Sequence, residues 1–179
     1  MMSRFNMIRR LPIAIMTVTL FHFPGLVATN ANAKSLQEPK GPTILTVVGL
    51  LSNHNGGGKA RFDIGMLQSL GTKRLHTRTC CSDTASDWKG VLMRSLLTHV
   101  GARGHRVTIS ALDGYQVEIP TEDFYKHDVL LAFEQDGKRL TVRTRGPLRL
   151  IYPHDHNSEL HDPKYAARYV WQIRKIDVR

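Results

Sequence analysis

Cysteine is almost missing from this chain: its 179 residues hold two, Cys80 and Cys81, and they are adjacent. Small scaffolds pinned by several disulfides are therefore excluded. Proline and glycine, at 8 and 14 residues, are too few for a collagen-like or low-complexity chain, and neither an internal repeat nor coiled-coil patterning is present. Aromatics make up only 7%, which leaves few platforms for stacking bases and argues against nucleic-acid binding. Acidic residues are the minority charge, 15 against 25 Lys and Arg, a formal excess of +10. That excess favours anions such as phosphate, a membrane surface or a small oxyanion, without choosing among them. What is present is 41% hydrophobic and 22% charged, the make-up of a folded chain. The length suits one domain with a sizeable core rather than a two-domain enzyme.

Residues 1–33 read as a cleavable signal peptide. Arg4, Arg9 and Arg10 precede an apolar run from Leu11 to Ala28, and Ala31-Asn32-Ala33 offers the small-x-small pattern that signal peptidase reads. Cleavage before Lys34 is expected, giving a periplasmic or secreted protein with no stable membrane span. A retained anchor is opposed by Pro12, Pro24 and the cleavable tripeptide. Arg9-Arg10 leaves both the general and the twin-arginine export routes open, although Leu11-Pro12 is a poor continuation for the second.

Residues 34–42 form a polar, exposed lead-in, and residues 43–179 a single domain. Thr43 to Leu51 is rich in Val, Leu, Ile and Thr and predicts a strand, broken by Asn53 to Gly58. Those glycines make a turn rather than a nucleotide cradle, since no Lys-Ser/Thr follows. Ala60 to Phe62 continues as a strand. Asp63 caps a short helix carrying Ile64, Met66, Leu67 and Leu70, and Gly90 to Val100 predicts a second helix stopped by Gly101. Strands are predicted over Arg106–Ala111, Tyr115–Ile119, Val129–Glu134, Arg139–Arg143, Leu148–Tyr152 and Val170–Val178. A brief helix falls at Thr121–Tyr125, and an Asp136-Gly137 hairpin turn precedes Lys138. Strands outnumber helices without regular alternation, so the fold class is α+β, mixed and strand-rich.

Three blocks carry a more specific signal. Asp113-Gly114-Tyr115-Gln116-Val117-Glu118-Ile119-Pro120 comes first, then Asp128 to Leu140 with its Glu134-Gln135-Asp136-Gly137-Lys138 turn. Gly146-Pro147-Leu148-Arg149-Leu150-Ile151-Tyr152-Pro153 follows. Their order and spacing resemble the molybdopterin-binding domain of the sulfite-oxidase family, over roughly residues 43 to 179 and most strongly from 107 to 153. The resemblance implies a mixed α+β domain holding molybdopterin with molybdenum, the metal bound by the pterin dithiolene and one cysteine thiolate. It places Cys80 at the metal-ligand position, at the end of the alternating stretch Arg74 to Thr79, although Cys81-Ser82-Asp83 does not repeat the family's following pattern. Tyr115 stands four residues before Ile119-Pro120, where the family has its active-site tyrosine.

The residue chemistry agrees in kind. Molybdenum wants a soft thiolate, and phosphate or oxyanion groups want guanidinium donors. Adjacent cysteines lie about 3.8 Å apart at Cα, closer than the usual disulfide separation. Cys80 and Cys81 are therefore reactive or ligand thiols, a strained vicinal bridge, or two half-buried thiols without a role. Arg139, Arg143, Arg145 and Arg149 cluster around the Gly146-Pro147 turn and are candidates for holding phosphate, or else a solvated basic face. Tyr115 is a candidate donor to a bound oxyanion or an ordinary strand aromatic.

Two departures from the family stand out: Trp171 occupies the position of an expected lysine, and the lead-in lacks the arginine- and histidine-bearing segment of larger members. His154, His156 and His161, with Asp155 and Asp162, have metal-ligating side chains but no spacing that fixes a metal site, so a polar loop is expected. Two functions follow. One is an exported molybdopterin-dependent oxidoreductase for a small oxyanion or oxo-transfer substrate, working with an external redox partner protein. The other is a cofactor-free binding or accessory protein that keeps the fold and uses its basic pocket for an anion or a partner protein.

Overall fold

The computed structural model describes residues 35–179. The expected signal peptide, and cleavage before Lys34, lie outside the described residues. Among the described residues no helix is long and apolar enough to cross a membrane.

The first sheet contains β1 (Leu45–Gly49), β2 (Ala60–Phe62), β5 (Arg106–Ala111), β6 (Gln116–Pro120) and β10 (Ile173–Val178), in the order β2-β1-β10-β5-β6. β1 and β10 are parallel and the other pairs antiparallel. The second sheet contains β3 (Thr72–Thr77), β4 (Ser86–Leu92) and β7 (Leu130–Gln135). β8 (Lys138–Arg139) and β9 (Arg149–Ile151) both pair with β7. Three short helices connect them: α1 (Ile64–Ser69), α2 (Met93–His99) and α3 (Asp123–Lys126). The α+β expectation holds.

Alternation along β7 explains how the second sheet is held. Leu131 and Phe133 join the large core with Leu45, Val47, Ile109 and Ile176 of the first sheet, while Leu130 and Ala132 point the other way, against Trp88, Leu140 and Ile151. Burying each large aliphatic side chain contributes about 1.5–3 kcal/mol. With both faces covered, β7 fixes the floor on which the site stands.

The helix expected from Gly90 begins only at Met93. Gly90, Val91 and Leu92 pair instead with Ala132, Leu131 and Leu130. A side chain at Gly90 would collide with the Leu131 carbonyl, so glycine is required there by close strand approach. The run Gly90 to Leu97 is apolar enough to fit either periodicity, and cross-strand pairing decided it. Asp63 does cap α1, accepting from Met66 N at 2.8 Å.

Two further strands are shorter than expected. β8 stops at Arg139, after which Thr141 and Thr144 close a 3-10 turn over Val142–Thr144. β10 starts at Ile173 rather than Val170, because Gln172 is left-handed (φ 52°) and donates its N–H to the Arg145 carbonyl at 3.0 Å.

Candidate active site

β3 ends at Thr77, and Cys80 lies three residues beyond it in the loop to β4, not at the strand end that the sequence suggested. Asp155 fastens the start of that loop. Its carboxylate accepts from Arg78 N at 2.7 Å and Arg78 Nε at 2.8 Å, and its own N–H donates to Thr77 Oγ1 at 3.1 Å. The hydrogen bonds from the Arg78 backbone and guanidinium hold the Asp155 carboxyl below its ordinary range.

Cys80 is half-buried and Cys81 exposed, and their sulfurs are 2.8 Å apart as free thiols. Burial pushes the Cys80 thiol up to about 12, reinforced by Cys81 and opposed by Arg149. Cys80 Sγ faces the Ala166 carbonyl at 3.8 Å.

Two chambers flank this pair. The first, about 340 Å³, is lined by Cys81, Arg143, Arg145, Arg149, Trp88 and Gln135, among others. Arg149 is only 9% exposed and lies over the Trp88 ring at 4.7 Å. Burial, and then Arg145, lowers its guanidinium to about 10. Among the described residues no carboxylate forms an ion pair with Arg143, Arg145 or Arg149. Three unpaired guanidinium groups around one polar chamber are suited to an anion that brings several acceptor oxygens.

The second chamber, about 260 Å³, is lined by both cysteines, Tyr115, Ala166, Ala167, Tyr169 and Trp171, among others. Tyr115 precedes β6 rather than opening it. Its hydroxyl donates to the Ala167 carbonyl at 3.0 Å. Arg145 lies over the Trp171 ring at 5.1 Å, so this stack and the cysteine pair stand between the chambers. The structure thus brings together Cys80 with Tyr115, and Cys81 with the three arginines. Tyr115 and the arginines do not share one chamber. Arg139 is exposed on β8 and lines neither.

The aromatic chamber is walled by the 3-10 turn at Pro163–Arg168, through Ala166 and Ala167, and the turn at Ser158–His161 packs against it. Arg168 donates to the Asp123 carboxylate, which also accepts from Tyr152 OH at 2.9 Å. The Arg168 guanidinium lies over the Tyr165 ring at 4.7 Å, and Tyr165 OH donates to Glu159 at 3.0 Å. Burial first, and Asp123 second, keep the Tyr152 phenol protonated far above its ordinary range. Sequence reading missed Asp123, Tyr152, Arg168, Tyr169 and Trp88. The polar start of β4 hides Trp88, and no spacing rule ties α3 to the C-terminal turns.

The histidine-rich segment packs behind this wall, with His154 Nδ1 3.3 Å from the Tyr169 hydroxyl. His154 and His161 rings pack 4.6 Å apart, and Asp155 is committed to Arg78. Among the described residues no group of three His, Cys, Asp or Glu side chains is arranged to hold a metal ion.

Residues 65–172 match the family described as the oxidoreductase molybdopterin binding domain. The chain belongs to this family. It is 29% identical over 82 residues to the uncharacterized oxidoreductase YuiH of Bacillus subtilis (strain 168), covering 45% of this chain and 41% of that protein. Among solved structures it is similar to the sulfane dehydrogenase SoxCD of Paracoccus pantotrophus, with a TM-score of 0.55 and 18% identity over 75% of this chain and 37% of that one. The chain therefore spans less than half the length of either relative, and the second likeness concerns the fold. A molybdopterin group needs a soft sulfur donor and cations for its phosphate. A thiol pair beside three unpaired arginines fits that need.

Proposed function

We propose that this chain is an exported oxidoreductase that uses molybdopterin with molybdenum to act on a small oxyanion or an oxo-transfer substrate. The observation that carries the reading is the thiol pair set against the unpaired arginine chamber of about 340 Å³. Cys80 would hold the molybdenum, because it is the less exposed sulfur; burial and Cys81 push its thiol up against the weaker pull of Arg149, so a bound metal ion would have to displace the proton. Arg143, Arg145 and Arg149 would bind the pterin phosphate or the anionic substrate through paired charge-assisted hydrogen bonds. When bound, the cofactor supplies the two-electron chemistry that no side chain here can perform.

Tyr115 would act from the aromatic side. To donate to a substrate oxygen its hydroxyl must leave the Ala167 carbonyl, and at an exposed site losing that bond costs about 1 kcal/mol or less. Ala166, Ala167 and Tyr169 would shut water out of the side facing Cys80. Electrons would pass to or from an external partner protein. Export rests on the order of the charged, apolar and Ala-x-Ala regions in residues 1–33.

Metal analysis of the full chain, purified from a host that makes the cofactor, tests the reading. Molybdenum should accompany the wild type and Cys81→Ser, and be lost from Cys80→Ser. Equal metal in wild type and Cys80→Ser removes the ligand assignment. A wild-type protein with no pterin at all leaves the cofactor-free accessory protein as the surviving account. Intact mass of the exported species should correspond to a chain beginning at or near Lys34.

A further inference from the structure

We infer that Cys80 and Cys81 are a reversible oxidation site, closing to a vicinal disulfide that removes the sulfur on which the cofactor depends. The oxidation itself stands on geometry, and its consequence rests on the reading of Cys80 as the metal ligand. The two sulfurs are already 2.8 Å apart, so closing to the roughly 2.05 Å of a disulfide needs sulfur movement of less than 1 Å. The chain has no third cysteine to compete. Access is one-sided: Cys81 is exposed and lines both chambers, while Cys80 is half-buried beneath the Ala166 carbonyl. A small oxidant therefore meets Cys81 first.

The chemistry balances with a low-molecular-weight disulfide as oxidant. Cys81 attacks one sulfur of the small disulfide, breaking its S–S bond, forming a mixed disulfide and releasing one small thiol. Cys80 then attacks the Cys81 sulfur, forming the Cys80–Cys81 bond and releasing the second small thiol. The protein loses two hydrogen atoms, and the small disulfide is reduced to two thiols. Adjacent Cα atoms are closer than unstrained disulfides allow. Strain and exposure make such a bridge easy to reduce, the property of a labile rather than a structural disulfide. Asp155 holds Arg78 and Thr77 at the base of the loop, so the exchange is confined to its tip.

Full-length chain, purified from a host unable to make the pterin, is treated with oxidised glutathione and weighed intact, with and without later dithiothreitol. The wild type should lose the mass of two hydrogen atoms and all free thiol, and recover both on reduction. Cys81→Ser and Cys81→Ala should give no such product, with circular dichroism confirming that each variant is folded. Wild-type protein that stays fully reduced, keeps stable glutathione adducts or forms intermolecular dimers would overturn the proposal. The same samples are then offered the cofactor. Bridged wild type should take up at least about tenfold less molybdenum than its reduced form, with recovery after reduction. Bridging with undiminished uptake would separate the two ideas: the oxidation site stands and Cys80 falls as the ligand.

Discussion

The cationic chamber takes its three arginines from one short stretch, residues 143–149, whereas the aromatic chamber joins segments far apart, as in the Tyr115 to Ala167 bond across 52 residues. Their energetics differ in the same way. Arg143, Arg145 and Arg149 have no carboxylate partners among the described residues, and Arg149 has Trp88 beneath it. The opposite wall is tied down by the nearly buried Arg168–Asp123 pair and Tyr152. One side keeps binding capacity in reserve, and the other spends its polar groups on holding shape. Mutations on the two sides should therefore fail in different ways.

The largest expected effect is on the wall. Asp123→Ala leaves the Arg168 guanidinium and the Tyr152 hydroxyl without their acceptor in a dry environment, a loss of about 3–5 kcal/mol. Urea denaturation should show it as a lowered midpoint with an unchanged slope. A midpoint within error of wild type would mean that the wall is not held by this pair.

Next comes Arg149→Met. It removes a buried, uncompensated cation and keeps apolar contact with Trp88, so the fold should be unharmed or slightly stabilised. Anion binding should lose about 1.5–3 kcal/mol, the worth of charge-assisted hydrogen bonds, which calorimetric titration with inorganic phosphate would register. Loss of stability together with unchanged phosphate affinity would invert the comparison between the chambers.

That contrast also decides what could be read in advance. The arginine cluster was visible because local spacing alone brings Arg143, Arg145 and Arg149 near the Gly146-Pro147 turn. The strand-rich fold was visible for the same reason, in alternating runs such as Arg106–Ala111. Cys80 and Tyr115 were singled out only through family resemblance, and the fold places both on one chamber. The wall was not legible, because Asp123, Tyr152 and Arg168 become partners only after α3, β9 and the C-terminal 3-10 turns have packed. β4 was lost to an ambiguity of periodicity, since a buried apolar run reads equally as strand or helix until its neighbour is known. Separation of Tyr115 from the arginines is a tertiary fact of the same kind.

A smaller effect should appear with pH, again on the wall. His127 is buried against Tyr152 and Tyr165. Burial lowers its pKa against the opposing pull of Glu159 and Asp123, while Lys126 and Arg168 lower it further. The unfolded chain therefore binds this proton better. Stability should be full above about pH 6.5 and decline as the pH falls from there toward the depressed folded value. His154, lowered in the same sense by burial and by His161, adds to the same window. The Asp155 and Glu159 carboxylates, both held low by hydrogen bonds, lose their contribution only as the pH falls below about 5. Urea midpoints at pH 8 and pH 5.5 measure the decline, and His127→Gln should flatten it. An equally steep decline in that variant would move the effect elsewhere.

Tyr115→Phe should disturb the fold least and separates the two functional readings most cleanly. The phenol is 46% exposed, and its one hydrogen bond goes to the Ala167 carbonyl, which water can replace. Removing the hydroxyl should therefore cost less than about 1 kcal/mol. The ring stays, so the shape of the aromatic chamber and the position of Cys80 should be kept, and molybdenum content should equal that of wild type. If the phenol gives its proton to a substrate oxygen during turnover, kcat falls while occupancy and melting are unchanged, because the lost interaction exists only in the transition state. If its task is only to hold the wall through Ala167, kcat changes no more than stability does. Steady-state turnover with sulfite-type and sulfoxide-type substrates and an artificial electron carrier decides between them. Unchanged kcat with both would take Tyr115 out of the chemistry and leave it a latch on the aromatic wall.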